Sequence, residues 1–206
     1  MMRPLEFWFE FASTYSYPAA LRIEAAARDA GVALAWRPFL LGPIFGAQGW
    51  RDSPFNIYPV KGQYMWRDLE RICMRLDLPM RRPSQFPRNG LLAARVALVG
   101  AEQAWGPPFV RAMYHANFAE DLDIADPAVV GSVLRRLGQE PAAVLEAAGA
   151  AKDALRAQTE RAVALGIFGA PTFVSGDELF WGNDRLEDAL AWHRQHAGEE
   201  ERCAAN

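Results

Sequence analysis

The sequence predicts an α/β protein whose sheet is interrupted by a large, all-helical insertion. Three observations indicate this fold class. The chain opens with an apolar run, a helical segment and a second apolar run, which is the order of a βαβ unit. In residues 62–166, apolar positions recur mainly at intervals of three and four, as on one face of a helix. Two short apolar runs and a last helical segment close the chain.

The opening unit has a clear order of elements. Leu5 to Phe11 is mostly apolar and is predicted to be a buried strand. The helix predicted over Tyr17 to Ala30 ends before Gly31, because glycine adopts the left-handed conformation after a helix without strain. Val32 to Phe39 alternates in polarity and is predicted to be the second strand.

The segment from Leu40 to Pro59 is predicted to be an irregular loop. Glycine and proline punctuate it throughout. Its aromatic residues argue against disorder, and long ordered loops in compact domains are commonly functional. We therefore expect this loop to take part in function.

The rest of the chain is predicted to be helical until its last strands. Five or six helices are expected in residues 62–166, with proline and glycine at several breaks. Two strands, Pro171 to Ser175 and Glu178 to Trp181, are joined by the turn Gly176-Asp177. A helix over Asp184 to His196 follows.

This order of elements predicts a discontinuous domain. Residues 1–61 and 167–198 are expected to form one α/β domain, because their strands need each other to complete a sheet. Residues 62–166 are expected to form a helical insertion domain, and residues 199–206 a flexible tail.

Composition excludes several classes of function. The chain is 51% hydrophobic and 23% charged, the balance of a compact soluble protein. A net charge of −3 gives no basic footprint for nucleic acid or an anionic membrane. No apolar run reaches the ~20 residues of a membrane span, and no signal peptide is evident, so a cytoplasmic protein is expected.

The cysteines and histidines predict neither a disulfide framework nor a metal site. Cys73 falls on an apolar helical stripe and is predicted to be a core residue, whereas Cys203 lies in the charged tail. His115, His193 and His196 have no metal-ligand partners at suitable spacing. No metal is therefore expected.

Ser13 is the first candidate site residue, because FEFASTYSY places it between a strand and a helix. The first N–H groups of a helix are unpaired and carry partial positive charge. Ser13 could therefore hold a thiolate, a phosphate or a carboxylate there. The alternative is a serine that only caps the helix.

A second candidate site lies near the end of the chain. Asp184 and Glu187 have the spacing of a capping box, which needs no ligand. The same helix start could instead bind an amino-acid ligand, with Asp184 on its ammonium and Asn183 facing its carboxylate. The residues themselves leave both interpretations open.

Four motifs in order give the chain a resemblance to a known family. They are F-x-F-x-S-x-Y-S-Y, N-x-x-P-x-K-G-x-Y-M, F-G-x-P-T-F and W-G-N-D-R-L. Up to about Gly198 the chain resembles thioredoxin-fold proteins of the disulfide-oxidoreductase A type, with Ser13 and Ser16 in the Cys-x-x-Cys positions. It is most similar to the glutathione-dependent 2-hydroxychromene-2-carboxylate isomerases and to the kappa-class glutathione transferases.

The resemblance implies a thioredoxin-like fold and a glutathione site. Ser13 would donate a hydrogen bond to the glutathione sulfur and stabilise its thiolate. Pro171 would follow a cis peptide bond, and the backbone of Ala170 would pair with that of glutathione. Asn183 and Asp184 would bind the γ-glutamyl end.

The resemblance also places Asn56 and Lys61 in the lining of the glutathione site. Apart from it, Asn56 could be a turn residue before Pro59, and Lys61 a solvated charge. One observation independent of the resemblance also favours a role for Lys61. The chain uses arginine almost everywhere else, and Lys152 is its only other lysine. An aromatic substrate wall or plain core packing would explain four aromatic residues: Tyr15, Trp50, Phe55 and Trp66.

The function implied is a glutathione-dependent cis–trans isomerase for an aromatic-derived α-keto acid. The thiolate would add reversibly to a conjugated double bond, which could then rotate. A kappa-like transferase and a non-catalytic thiol- or peptide-binding protein are the alternatives. A homodimer is also implied, while the residues binding a substrate carboxylate are not identified. Thr14, where the family usually has proline, is one departure from its pattern.

Overall fold

One mixed sheet joins the two ends of the chain. The structure, a computed structural model, describes residues 3–204, with side chains through residue 196. In that part of the chain the sheet has the strand order β2-β1-β3-β4. Its strands are β1 Leu5–Phe9, β2 Leu34–Pro38, β3 Thr172–Ser175 and β4 Glu178–Trp181. β1 pairs in parallel with β2 and antiparallel with β3.

Helices make up most of the remaining structure. The helices are α1 Ser16–Ala30, α2 Leu41–Ala47, α3 Pro54–Ile57, α4 Pro59–Arg75, α5 Leu91–Val99, α6 Gly106–Phe118, α7 Pro127–Arg136, α8 Pro141–Ala150, α9 Lys152–Ala164 and α10 Leu186–Ala204. A 3₁₀ turn, Asn183–Arg185, leads into α10.

The predicted order of elements is confirmed. β1, α1 and β2 form the βαβ unit, and α1 ends at Gly31 with a φ of 69°. Six helices, α4 to α9, lie between β2 and β3 in the region predicted to be the insertion. β3 and β4 form the predicted hairpin around Gly176-Asp177. The domain boundaries at 61/62 and 166/167 stay a prediction.

The prediction of an irregular loop over residues 40–59 is wrong in part, because α2 and α3 lie within this segment. Pro43 is the third residue of α2 and Pro54 the first of α3. The first N–H groups of a helix have no intrahelical partner, so proline removes no bond there. Ser53 then caps α3 by accepting the N–H of Phe55 at 3.3 Å. Here proline marks the start of helices.

β1 is an inner strand of the sheet, and both of its faces are buried. On one face Phe7 stacks with Phe9 and with Phe173 of β3, at centroid separations of 5.2 and 5.6 Å. On the other, Trp8 and Phe39 pack with apolar residues that include Ala162 of α9. The carboxyl end of β1 is therefore held rigidly by aromatic packing on two sides.

Two predictions concern the cysteines and the tail. Cys73 is buried on α4 as a free thiol, so its assignment to the core is confirmed. Cys203 lies outside the side chains that the structure describes. The flexible tail over residues 199–206 therefore stays a prediction.

Replacing Gly106 by alanine should destabilise the protein. A Cβ there would lie 1.9 Å from the Gly100 carbonyl oxygen, so the start of α6 would have to move. We expect the free energy of unfolding, measured by urea denaturation, to fall by about 1–3 kcal/mol, the usual cost of overpacking. Gly149→Ala is the control: its Cβ meets nothing within 4 Å, and alanine should stabilise α8 by up to about 1 kcal/mol. Equal midpoints for the two variants would contradict this.

Candidate functional site

A large cavity opens where β1 ends and α1 begins. Its volume is about 1520 Å³. Its walls come from the turn after β1, from α2, α3 and α4, from residues 86–91, from residues 168–170 and from residues 181–187. A pocket for one drug-sized ligand measures roughly 300–1,000 Å³, so this cavity has room for more than one small molecule.

Ser13 lies in the wall of this cavity, three residues before α1. Its Oγ donates a hydrogen bond to the Ala170 carbonyl at 2.7 Å and accepts the N–H of Ser16, the first residue of α1, at 3.3 Å. Its own N–H donates to the Glu10 carbonyl at 3.0 Å. The hydroxyl therefore makes a capping bond to the helix and also faces the cavity.

Ala170 and Pro171 lie directly beside Ser13. The Ala170–Pro171 peptide bond is cis, as the resemblance implied. Ala170 lines the cavity, while Pro171 is buried behind it, and its carbonyl accepts the N–H of Gly182 at 2.9 Å. This bond brings the segment after β4 to the same side of the cavity. Ser13 and Ala170, 157 positions apart in the sequence, thus meet at one wall.

Asn183 and Asp184 line the cavity next to that segment but differ in their surroundings. Asn183 is buried, and its side chain accepts from Arg22 Nε at 3.1 Å. Asp184 is largely exposed and pairs with Arg185 at 3.3 Å. Glu187 pairs with Arg22, so it does not close the predicted capping box.

Arg22 was missed in the sequence and is central to this wall. It contacts both the side chain and the carbonyl of Asn183 as well as the carboxylate of Glu187. In the sequence it is one charged residue on an amphipathic helix, with no signal to distinguish it. Only the packing of α1 against residues 183–187 reveals that it positions them.

Lys61 lies in the cavity wall, whereas Asn56 does not. The Lys61 ammonium sits 5.6 Å from the centroid of the Phe55 ring, and among residues 3–196 no carboxylate lies within 4.0 Å of it. The Asn56 amide instead donates to Asp52 and to the Phe86 carbonyl, each at 3.1 Å. Asn56 therefore ties α3 to the segment at 86.

The four candidate wall aromatics divide in the same way. Tyr15, Trp50 and Phe55 line the cavity. Trp66 is instead buried and packs on Phe86, with 4.9 Å between the ring centroids. Burial and the carboxylate of Asp68 raise the pKa of the Tyr15 phenol well above its usual range. That phenol donates to Asp68 at 3.0 Å and stays neutral.

Glu10 is a second wall residue that the sequence analysis missed. It is 9% exposed, and burial raises its pKa from the ordinary 4.5 to about 7, partly offset by the N–H groups of Ala12 and Ser13. An acidic residue between two aromatics at the end of a buried strand, Phe9-Glu10-Phe11, was an available signal.

Two properties of the described residues bear on the class of site. None of their helices is both long and apolar enough to cross a membrane. No group of three or more His, Cys, Asp or Glu side chains among them is placed to hold a metal ion.

The comparisons with known proteins agree on one family. A family model for the DSBA-like thioredoxin domain matches residues 4–191. A 2-hydroxychromene-2-carboxylate isomerase of Sphingobium xenophagum is 30% identical over 190 residues, covering 91% of this chain and 96% of that protein. A solved structure of such an isomerase has a TM-score of 0.81 at 27% identity, covering 95% and 98% of the two chains.

A weaker match extends to transferases. Glutathione S-transferase kappa 1 of Homo sapiens is 26% identical over 205 residues, covering 90% of this chain and 88% of that protein.

Replacing Glu10 by glutamine should stabilise the protein as pH rises. Between pH 4.5 and about 7 the unfolded chain loses this proton while the folded protein keeps it, so stability is full below 4.5 and falls up to 7. The free energy of unfolding of the wild type falls by about 3 kcal/mol over this range, at 1.36 kcal/mol per pKa unit. Glu10→Gln has no carboxyl at this position and does not lose this stability. Urea denaturation at several pH values from 4 to 8 measures the growing difference.

Glu6→Gln is the matched control, on the strand β1 that leads into the turn holding Glu10. Glu6 lies outside the cavity and pairs with Arg37 and Arg161, so its replacement removes ion pairs. We expect it to be no more stable than the wild type at any of these pH values. Parallel curves for the wild type and Glu10→Gln would contradict the raised pKa.

Proposed function

Because the chain belongs to the DSBA-like thioredoxin family and, within it, to the 2-hydroxychromene-2-carboxylate isomerases, we propose that it is a glutathione-dependent cis–trans isomerase. The proposed substrate is an aromatic-derived α-keto acid. The observation that carries the proposal is the Ser13 hydroxyl, which faces the cavity at the start of α1. Serine at positions 13 and 16 leaves no dithiol for disulfide exchange.

The residues around Ser13 suit a glutathione thiolate. A sulfur beside Ser13 would meet the positive end of α1 and a hydroxyl that can turn from Ala170 to donate to it. The released Ala170 carbonyl would then accept the cysteine N–H of glutathione, as in the addition of a strand. One rotation of the Ser13 hydroxyl thus prepares both interactions.

The ends of glutathione have matching partners in the same wall. The exposed carboxylate of Asp184 suits the γ-glutamyl ammonium, and Arg22 holds the neighbouring Asn183 in place. Lys61 supplies a cation without a carboxylate partner among the described residues, which suits a carboxylate of the ligand. The charges of the wall therefore complement those of the tripeptide.

The chemistry needs room for two molecules and a rotating bond. Bound glutathione supplies a thiolate that adds reversibly to a conjugated double bond, making it a single bond, and is not consumed. Trp50 and Phe55 line the same cavity as Ser13 and provide an aromatic face for the substrate. The cavity of about 1520 Å³ accommodates the tripeptide and an aromatic acid together.

A kappa-type transferase is the second candidate, favoured by the match to the human enzyme. Both activities require the same thiolate, and they differ in whether a stable conjugate leaves the site. Liquid chromatography coupled to mass spectrometry separates them in the reaction with 2-hydroxychromene-2-carboxylate, because an isomer differs from the substrate in retention time and a conjugate differs in mass. Isomerised substrate with glutathione intact supports the isomerase, and a lasting conjugate supports the transferase.

Ser13→Ala should fold normally but should stabilise the thiolate of bound glutathione less than the wild type does. A hydrogen bond to a charged group contributes about 1.5–3 kcal/mol, so kcat should fall about 10- to 100-fold and the pKa of the bound thiol should rise. Calorimetric titration with reduced glutathione and the ultraviolet absorbance of the thiolate measure this. Ser16→Ala is the control, because the Ser16 side chain is fully buried and outside the cavity wall.

The wild-type protein decides the proposal itself. If it fails to bind reduced glutathione at millimolar concentration, both the isomerase and the transferase are excluded. Normal binding with unchanged kcat in Ser13→Ala would instead remove Ser13 from the mechanism.

Arg22→Gln should raise the KM for glutathione several-fold and leave kcat nearly unchanged. Arg22 positions Asn183 and pairs with Glu187 but does not approach Ser13 through any contact. Arg28→Gln is the control on the same helix, since Arg28 is exposed and, among the described side chains, forms an ion pair only with Asp29, at 3.9 Å. Equal KM values in the two variants would contradict the role given to Arg22.

A further inference from the structure

The mechanism above leaves unused the Glu10 carboxyl, a buried ionisable group of the cavity wall. It lies in the cavity wall with Ser13 and is more than nine-tenths buried. Among residues 3–196 no arginine, lysine or histidine lies within 4.0 Å of its oxygens. A buried carboxylate without a cation is costly, so a structural role alone gives no reason for an acid here.

The turn after β1 holds this carboxyl next to Ser13. Oε2 accepts the N–H of Ala12 at 2.9 Å, while the Glu10 carbonyl accepts from Ser13 N at 3.0 Å and from the Tyr114 hydroxyl at 2.9 Å. Glu10 and Ser13 are therefore the first and last residues of one hydrogen-bonded turn. Both side chains reach the same cavity.

The absence of a side chain at Gly90 leaves room beside Oε1, the second carboxyl oxygen of Glu10. A Cβ on Gly90 would lie 3.0 Å from Oε1, and glycine has none. Oε1 accepts no hydrogen bond from the described residues, so it is the oxygen able to carry or give up a proton.

The charged groups around Glu10 do not neutralise it. From α6 it faces the Tyr114 phenol, whose pKa is raised by burial and by Glu10 itself. From residues 86–91, Arg88 lines the cavity, but its guanidinium is bound to Asn117, Ser84 and Asp121. Burial without a cation makes a neutral carboxylic acid available near pH 7.

We propose that Glu10 is the proton donor and acceptor of the isomerisation, acting on the carbonyl oxygen of the substrate. This inference rests on the proposed function. Addition of a thiolate to a conjugated ketone places negative charge on the carbonyl oxygen, and a neutral acid beside the site stabilises that charge.

The proton and the electrons balance over one cycle. As the carbon–sulfur bond forms, the π electrons of the double bond move to the ketone oxygen, which takes the proton from Glu10. After rotation, Glu10 takes the proton back, the carbonyl re-forms and the carbon–sulfur bond breaks with its electron pair on sulfur. The acid and the thiolate both return to their starting states, and no other reactant is needed.

Glu10→Gln separates proton transfer from structure. Glutamine keeps the acceptor for Ala12 N–H and the size of the side chain but cannot transfer a proton. We expect the glutathione Kd, measured by calorimetry, to stay within about twofold of the wild type. We expect kcat to fall by a factor of about 100 or more, because general acid catalysis commonly contributes that much. The decline of wild-type kcat as pH rises above about 7 should vanish in the variant.

Glu6→Gln, measured in parallel, should keep both the kcat and the pH profile of the wild type, because Glu6 lies outside the cavity. A readout without turnover is the titration of glutamate carboxyls by ¹³C NMR. One carboxyl should titrate near 7 in the free protein and be absent from Glu10→Gln.

Three results would overturn the inference while leaving the proposed function intact. They are wild-type kcat in Glu10→Gln, loss of glutathione binding together with turnover, and titration of Glu10 near 4.5. A wild-type protein that binds glutathione but does not isomerise the substrate would overturn the proposed function, and the proton-transfer role with it.

Discussion

The antiparallel pairing of β1 with β3 is the constraint on which the rest of the site depends. It brings Thr172 opposite Trp8, so the strand entry at Ala170 lies beside the turn that follows β1. The hydrogen bond from Ser13 to the Ala170 carbonyl then joins residues 157 positions apart. Without this pairing Ser13 would be only a polar residue before a helix.

The aromatic packing around β1 makes that pairing rigid. Phe7 and Phe9 on one face and Trp8 on the other are fully buried, so β1 cannot shift its register without exposing large apolar surfaces. A rigid strand fixes the direction in which the turn at residues 10–13 leaves the sheet. The cavity is consequently built beside a fully buried strand, and binding sites on such rigid elements are more precise than sites on loops.

Glu10 and Arg22 show two ways in which this fold handles buried polarity. Arg22 satisfies the carbonyl and side chain of Asn183, so its charge supports the geometry of the wall. Among the described residues the Glu10 carboxyl accepts a hydrogen bond only from the backbone, and burial raises its pKa, so it lowers stability as pH rises. A destabilising buried acid in the wall of a large cavity is characteristic of sites where chemistry takes precedence over stability.

The sequence by itself determined the elements and their order, because these depend on local physics. Periodicity predicted the βαβ opening and five or six middle helices, of which the structure has six, and Gly31 predicted the end of α1. Ser13, Ala170 and Asp184 were also found from motifs, and all three line the cavity. The helices α2 and α3 were missed because proline at a helix start and proline in a loop have the same local signature.

Only the tertiary structure decided which side chains face the cavity. Asn56 turns to Asp52 and Phe86, Trp66 packs inside, and Arg22 reaches Asn183 across 161 positions of sequence. Each outcome depends on contacts between distant segments, which no local pattern encodes. The same holds for Glu10, whose acidity is set by the water that the surrounding elements exclude.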